Sequence, residues 1–174
     1  MVIDKQHTAC FSGYRPEKFS FSLEDTTCTE YKHLCSNING AITEALQLGY
    51  KAFLCGMGRG FDLLCASAVI NFRKKKKYSH LKLIAVLPFA EHGFSGEWGK
   101  LHNTVRTNAD WEVCISPEGN GYIPKSYHLR NNYMVNNSSR LICYWNGQKG
   151  GTAHTVRLAE RHGLAVCDLC SKTP

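Results

Sequence analysis

"LICYWNGQKGGTAHTVRLAERHG", residues Leu141–Gly163, decides how this chain folds. Leu141 to Trp145 is an unbroken apolar run, the mark of a short strand covered on both faces. A glycine-rich turn follows. Thr152–His162 then reads as a helix whose Val156 and Ala159 face inward. A strand entering a helix through Gly-Gly-Thr is half of a βαβ unit. The turn also raises a chemical question. Glycine lets the backbone come close to an anion, and a helix N-terminus offers unpaired N–H groups and the positive end of a dipole.

The same alternation runs along the chain. Apolar runs at Thr8–Phe11, Lys51–Cys55, Leu81–Leu87, Trp111–Ile115, Arg140–Trp145 and Ala165–Leu169 read as strands. The capping box Thr27-Cys28-Thr29-Glu30 opens a helix carrying Tyr31, Leu34, Ile38, Ala41, Ile42 and Ala45, and Gly49 stops it. Phe61, Leu64, Cys65, Ala68, Val69 and Phe72 mark a second helix. Trp98, Leu101, Val105 and Ala109 mark a third, and Ser126–Ser139 is a more polar fourth. Strand–helix alternation requires right-handed crossovers. The expectation is an α/β protein: a Rossmann-like three-layer αβα sandwich with a mostly parallel sheet of about six strands. No repeat, low-complexity stretch or linker interrupts it, so residues 1–174 read as a single domain.

Composition narrows the function classes. The net charge is +7, but Arg73-Lys74-Lys75-Lys76-Lys77 carries five of those charges, and the remainder is near balance. Such a run suits a helix C-terminus; as a nucleic-acid patch it would need aromatic residues interleaved, and none are. Most of the nine cysteines lie in apolar runs, where a free thiol packs as a small hydrophobe. Cys167-Asp168-Leu169-Cys170 is a lone CxxC with no second pair, so no metal site is expected. No segment reaches membrane length and the N-terminus lacks a signal-like apolar stretch, which sets the expectation of a reduced, cytoplasmic protein without a membrane partner. Gly93-Phe94-Ser95-Gly96 is not a nucleophile elbow.

In open parallel sheets, ligands bind beyond the carboxyl ends of the strands. Ser12, Gly13, Tyr14 and Arg15 follow the first strand; Gly56, Gly58 and Gly60 follow the second; Pro88–Gly93 follows the third; Gly150, Gly151 and Thr152 follow the fifth. Two of these loops open helices, although neither is a Walker loop. Arg15 and Arg130 are candidate bidentate partners for phosphate, with Asn131 beside the latter. Tyr14 and Trp145, at strand ends, are candidates to stack on a base. Asp62, just inside the second helix, is either a dipole-favoured acid or a reactive carboxylate.

The ordered set "SGYRPEK", "GMGRGFDLLCA", "HLRNNYMV" with "SSRLICYW", and "GGTAHTVRLA" resembles the YpsA-type proteins of the SLOG superfamily, over Thr8 to about Val166. That superfamily joins the DNA-processing protein DprA/Smf with the LOG/lysine-decarboxylase-like proteins. The resemblance implies a Rossmann-like fold that binds a nucleotide or a molecule derived from one. It brings no settled reaction. The LOG phosphoribohydrolases cleave base from ribose 5-phosphate with an Arg-Lys-x-x-Met and a Pro-Gly-Gly-x-Gly-Thr-x-x-Glu element. Here Arg130 and Met134 match the first, with Asn131 in place of Lys; Gly151-Thr152 matches the second, with Thr155 in place of Glu. A carboxylate stabilises the positive charge that glycosidic cleavage develops and orients a water; threonine does neither.

The expected function is therefore nucleotide binding in a sensor or carrier role. The ligand contacts would come from Ser12, Gly13, Arg15, Gly56, Gly58, Gly60, Arg130, Asn131, Gly150, Gly151 and Thr152, and no cofactor would be required. The alternative is a LOG-like hydrolase of nucleoside monophosphates, with Asp62 or Glu91 supplying the missing carboxylate and Asp62 and Arg130 as catalytic candidates. A further alternative is single-stranded DNA binding by analogy to DprA. The resemblance to LOG proteins also suggests a homodimer.

Overall fold

The computed structural model describes residues 2–117 and 124–170. Six strands form one sheet: β1 (Thr8–Ser12), β2 (Ala52–Cys55), β3 (Lys82–Phe89), β4 (Trp111–Ser116), β5 (Arg140–Cys143) and β6 (Ala165–Asp168). Their order is β4-β3-β2-β1-β5-β6, and every pairing is parallel. Five helices connect them: α1 (Thr29–Gln47), α2 (Phe61–Arg73), α3 (Gly96–Asn108), α4 (Pro124–Asn136) and α5 (Gly151–Arg161). This is the Rossmann-like layered α/β fold that the sequence predicts.

Alternation along each strand divides the core in two. Ala9, Phe11, Phe53, Cys55, Leu83 and Leu87 point to one face, where they meet Ile38, Ile42, Phe61, Cys65, Val69 and Val105 of α1–α3. Cys10, Leu54, Ile84, Val86, Leu141 and Cys143 point to the other, against Met134, Val135, Val156 and Ala159 of α4 and α5. The chain builds outward from β1 through β2 and β3 to β4 on one face. It then crosses back through α4 to place β5 on the other side of β1. All five residues of β1 are buried, whereas edge strand β4 has none.

Several local expectations shift. Cys28, not Thr27, caps α1: its sulfur accepts from the Tyr31 N–H, while Asp25 takes both the Thr27 hydroxyl and the Thr27 N–H. In α3 the buried positions are Gly99, His102 and Val105; Trp98 and Leu101 are half-buried, and Ala109 is the cap. The fourth helix begins at Pro124 and ends at Asn136. The basic run follows α2 at the amino-terminal edge of the sheet, where Arg73 reaches the Asn108 carbonyl and Asp110. Among the described residues, no helix is long and apolar enough to cross a membrane.

Candidate functional site

The strand order reverses between β1 and β5, and the chain leaves these two strands in opposite directions. A crevice must open beyond their carboxyl ends. A cleft of about 420 Å³ lies there. Its walls are the loop after β1 (Ser12 to Lys18), the turn into α2 (Gly58, Arg59, Asp62), the loop after β3 (His92, Phe94), one face of α4 (Tyr127, His128, Arg130, Asn131) and the start of α5 (Gly151, Thr152).

The loops are stitched together by their own backbone and by one acid. Gly13 N–H donates to Asp62 Oδ1 at 3.1 Å, and Phe61 N–H donates to the Tyr14 carbonyl at 3.2 Å. A Cβ on Gly13 would lie 2.4 Å from the Phe61 ring. A Cβ on Gly60 would lie 2.6 Å from the Tyr14 carbonyl, and φ there is +89°. These two glycines are needed so that the β1 and β2 loops can touch. Thr152 completes the seam by donating its hydroxyl to the Gly13 carbonyl at 3.1 Å.

Arg130 reaches this seam from α4. It is buried, donates through Nη1 to the Gly56 carbonyl and through Nε to Asn131 Oδ1, and lies over the Tyr127 ring. Asn131 in turn donates to the Thr155 hydroxyl at 2.9 Å, and that hydroxyl donates to the Gly151 carbonyl at 3.0 Å. A chain of hydrogen bonds therefore runs from the β2 loop through α4 to the first turn of α5. Thr155, at the position of the LOG glutamate, is fully buried as a link in that chain and does not line the cleft.

The electrostatics are unusual for so small a space. Burial pushes the Asp62 carboxyl up to about 6, although Arg130, the N–H groups of Gly13 and Gly58, and Arg15 all favour its charged form. Burial likewise lowers Arg130, and Asp62 counters it. His92 is buried on the cleft wall, and its Nδ1 has no hydrogen-bond partner among the described residues. Burial, reinforced by the Arg130 charge, holds its pKa down at about 3, so the ring is neutral at physiological pH. The first turn of α5 faces the cleft with Gly150 at its N-cap and no side chain capping it. Those N–H groups, with Arg15, Lys18 and Arg130, place hydrogen-bond donors and positive charge around the cleft.

Of the residues expected from the sequence, Ser12, Gly13, Arg15, Gly58, Arg130, Asn131, Gly151 and Thr152 line the cleft, as does Asp62. Gly56, Gly60 and Gly150 lie behind it. Gly56 leaves room for Arg130, since a Cβ would fall 2.5 Å from Nη1. Glu91 is exposed and does not reach the cleft, so it cannot supply a carboxylate there. Of the two stacking candidates, Tyr14 lines the cleft and Trp145 does not. Tyr14 is nevertheless buried, with its ring edge-to-face against Phe19 and Tyr144 and its hydroxyl hydrogen-bonded to Asn146. Trp145 packs with the α4–α5 layer and donates its ring N–H to the Gln148 carbonyl.

Sequence reasoning missed Lys18, Arg59, His92, Phe94, Tyr127 and His128. Lys18 and Arg59 stand within the quoted motifs, and His92 lies in Pro88–Gly93, the loop named after the third strand, without being singled out there. Cys167 is buried, Cys170 is half-buried, and no cluster of three or more His, Cys, Asp or Glu side chains could hold a metal among the described residues.

The comparisons agree with this architecture. The YpsA model, described as the YspA SLOG family, matches residues 9–162, and the chain belongs to that family. The fold is similar to DNA processing protein A from Helicobacter pylori, a structure concerned with its single-stranded DNA binding mode (TM-score 0.62, 14% identity, 95% of this chain and 66% of that one). It is also similar to DNA processing protein A from Streptococcus pneumoniae (TM-score 0.59, 15% identity, 92% of this chain and 49% of that one). The chain thus spans about two thirds and one half of those proteins. No curated protein matches it.

Proposed function

We propose that this SLOG-family chain binds a nucleotide or nucleotide derivative in the cleft between β1 and β5, as a sensor or carrier. The observation that carries the reading is the convergence of an uncapped helix N-terminus (Gly151, Thr152) with Arg15, Lys18 and Arg130 on one crevice at the point where strand order reverses. The phosphate would sit against the first turn of α5. Neutral His92 would offer the base or sugar a hydrogen bond. Calorimetric titration with nucleoside 5′-monophosphates should find a binder that Arg15→Ala or Gly151→Asp weakens at least tenfold. No heat at millimolar ligand would remove the reading.

A second reading, nucleotide N-glycoside hydrolysis, is favoured by one observation: Asp62 is a buried carboxyl in the cleft with a pKa raised to about 6. Release of free base from nucleoside monophosphates, abolished by Asp62→Asn, would establish it. Strand binding rests on likeness of fold to DNA processing protein A, and the Arg73–Lys77 run faces the opposite edge of the sheet from the cleft. Single-stranded DNA that binds with a steep salt dependence, weakened by Arg15→Ala, would support it.

A further inference from the structure

A second hollow, of about 460 Å³, adjoins the cleft above the start of α3. It shares Arg15, Arg59, Phe94 and Tyr127 with the cleft, so the two form one continuous space. The cleft is charged: Asp62, Lys18, Arg130 and a helix N-terminus. The second hollow adds Trp98 and Ser95 to the shared Phe94, Tyr127 and two guanidiniums.

We propose that this hollow is a second subsite, which takes the second ring of a small ligand made of two aromatic ring systems joined through phosphate. The inference rests on the nucleotide reading of the cleft. Trp98 is its centre. The residue sits in the first turn of α3 at a core-like spacing, yet it is only half-buried and lines the hollow. An aromatic ring held at a pocket wall is a stacking platform for a heteroaromatic base.

The junction fits a phosphate bridge. Arg15 already lies against the Tyr127 ring, 5.8 Å from its centroid, so its guanidinium is held between the two spaces. Arg59 pairs with Glu17 at 2.9 Å, and both side chains are well exposed. Such an exposed pair is weak, and a phosphate can displace the carboxylate. Ser95 caps α3 without using its side chain in the cap, and it lines the hollow where a ribose hydroxyl would need a partner. A mononucleotide would occupy only the charged half.

The test compares adenosine 5′-monophosphate with diadenosine diphosphate, two adenosines joined by pyrophosphate. Stacking of one base on an aromatic side chain is worth about ten- to a hundredfold in affinity. The dinucleotide should therefore bind the wild-type chain at least tenfold more tightly. Trp98→Ala should remove that advantage and leave the affinity for the monophosphate within twofold. In a Trp111→Phe, Trp145→Phe background Trp98 is the one tryptophan, and the dinucleotide should quench its emission more strongly than the monophosphate, a readout that needs no change at Trp98. Equal affinity for the two ligands, or no difference in quenching, overturns the second subsite and leaves the cleft reading standing. Failure of both ligands to bind overturns both. A short oligodeoxyadenylate binding more tightly than the dinucleotide overturns the proposal in favour of a strand-binding groove.

Discussion

Gly60→Ala separates a glycine needed for packing from a glycine needed for a ligand. Gly60 has φ +89° and ψ −127°, a region that L-residues with a Cβ rarely enter. Forcing alanine there costs about 1–3 kcal/mol in backbone strain alone. The new Cβ would also stand 2.6 Å from the Tyr14 carbonyl and 3.0 Å from Pro16 Cδ. The loops must then separate, and the Phe61 N–H to Tyr14 carbonyl bond is lost, at about 0.5–1.5 kcal/mol. The expected loss is about 3 kcal/mol or more, which lowers Tm by roughly 6–12 °C in a domain of this size.

Two other glycines calibrate the measurement. Gly147 has φ +90° but nothing within 4 Å of its Cβ position, so Gly147→Ala carries the backbone strain alone. Gly40 lies exposed in the middle of α1 with open space around it, so Gly40→Ala should stabilise by up to about 1 kcal/mol. Thermal melts of the three variants decide the matter. Because Arg15 follows Tyr14 directly, Gly60→Ala should also weaken nucleotide binding. A Tm for Gly60→Ala equal to that of Gly147→Ala would refute the claim that these loops meet as described.

The remaining predictions concern charge. The folded pKa of Asp62 is raised from 3.8 to about 6, so its contribution to stability is fully present below the unfolded value and is lost as pH rises through 6, by about 3 kcal/mol at most. His92 runs the other way: its folded pKa is lowered from 6.5 to about 3, so its contribution is present above 6.5 and is lost as pH falls toward 3. Between pH 4 and 6 the two slopes oppose, and urea unfolding of Asp62→Asn should lose stability on acidification more steeply than wild type; parallel curves would sink the Asp62 assignment. Glu17→Gln should leave Tm nearly unchanged, because the Arg59 pair is exposed, and should raise the affinity for nucleotide severalfold by freeing Arg59. Thr155→Glu should not create a hydrolase. It breaks the bonds to Asn131 and Gly151 and buries a carboxylate at a fully buried position, so a stability loss above about 3 kcal/mol and no release of base from monophosphates are expected.

The layered fold was legible because short, mostly apolar runs alternate with helices, three of which carry clear three–four spacing. The cleft was legible as far as a general rule could take it: loops beyond the carboxyl ends of strands line it, and most of the residues named there do. What escaped depends on neighbours far away in sequence. Tyr14 and Trp98 have the same kind of side chain at similar strand- or helix-end positions. Tyr14 is buried against Phe19 and Tyr144 at the cleft wall, whereas Trp98 is half-buried at the wall of a second hollow. Gly56, Gly58 and Gly60 look alike in the sequence, yet one makes room for Arg130, one lines the cleft and one lets two loops touch. The α1 cap moved by one residue because Asp25 claims the Thr27 hydroxyl, a competition that the capping-box pattern does not register.

Whether the cleft holds a ligand or cuts one turns on the protonation of Asp62. Its Oδ1 is already engaged by the Gly13 N–H, and the Gly58 N–H favours the same charged form. It sits among Arg15 and Arg130, the groups a phosphate would seek. A phosphate dianion arriving there brings negative charge beside a carboxylate that burial already disfavours, and like charge raises the carboxyl pKa further. Binding near pH 6.5 should therefore take up a proton at Asp62. Calorimetry in two buffers of different ionisation heat measures that uptake directly, and Asp62→Asn subtracts the protonation of the phosphate itself, whose second pKa is about 6. A wild-type heat that changes between buffers no more than that of Asp62→Asn would refute the coupling. With the coupling present, the filled cleft holds Asp62 neutral, and a neutral carboxyl cannot stabilise the positive charge that glycosidic cleavage develops on a ribose. A proton taken up with phosphate would thus remove the charge-stabilising role from Asp62 and leave it only that of proton donor to a departing base.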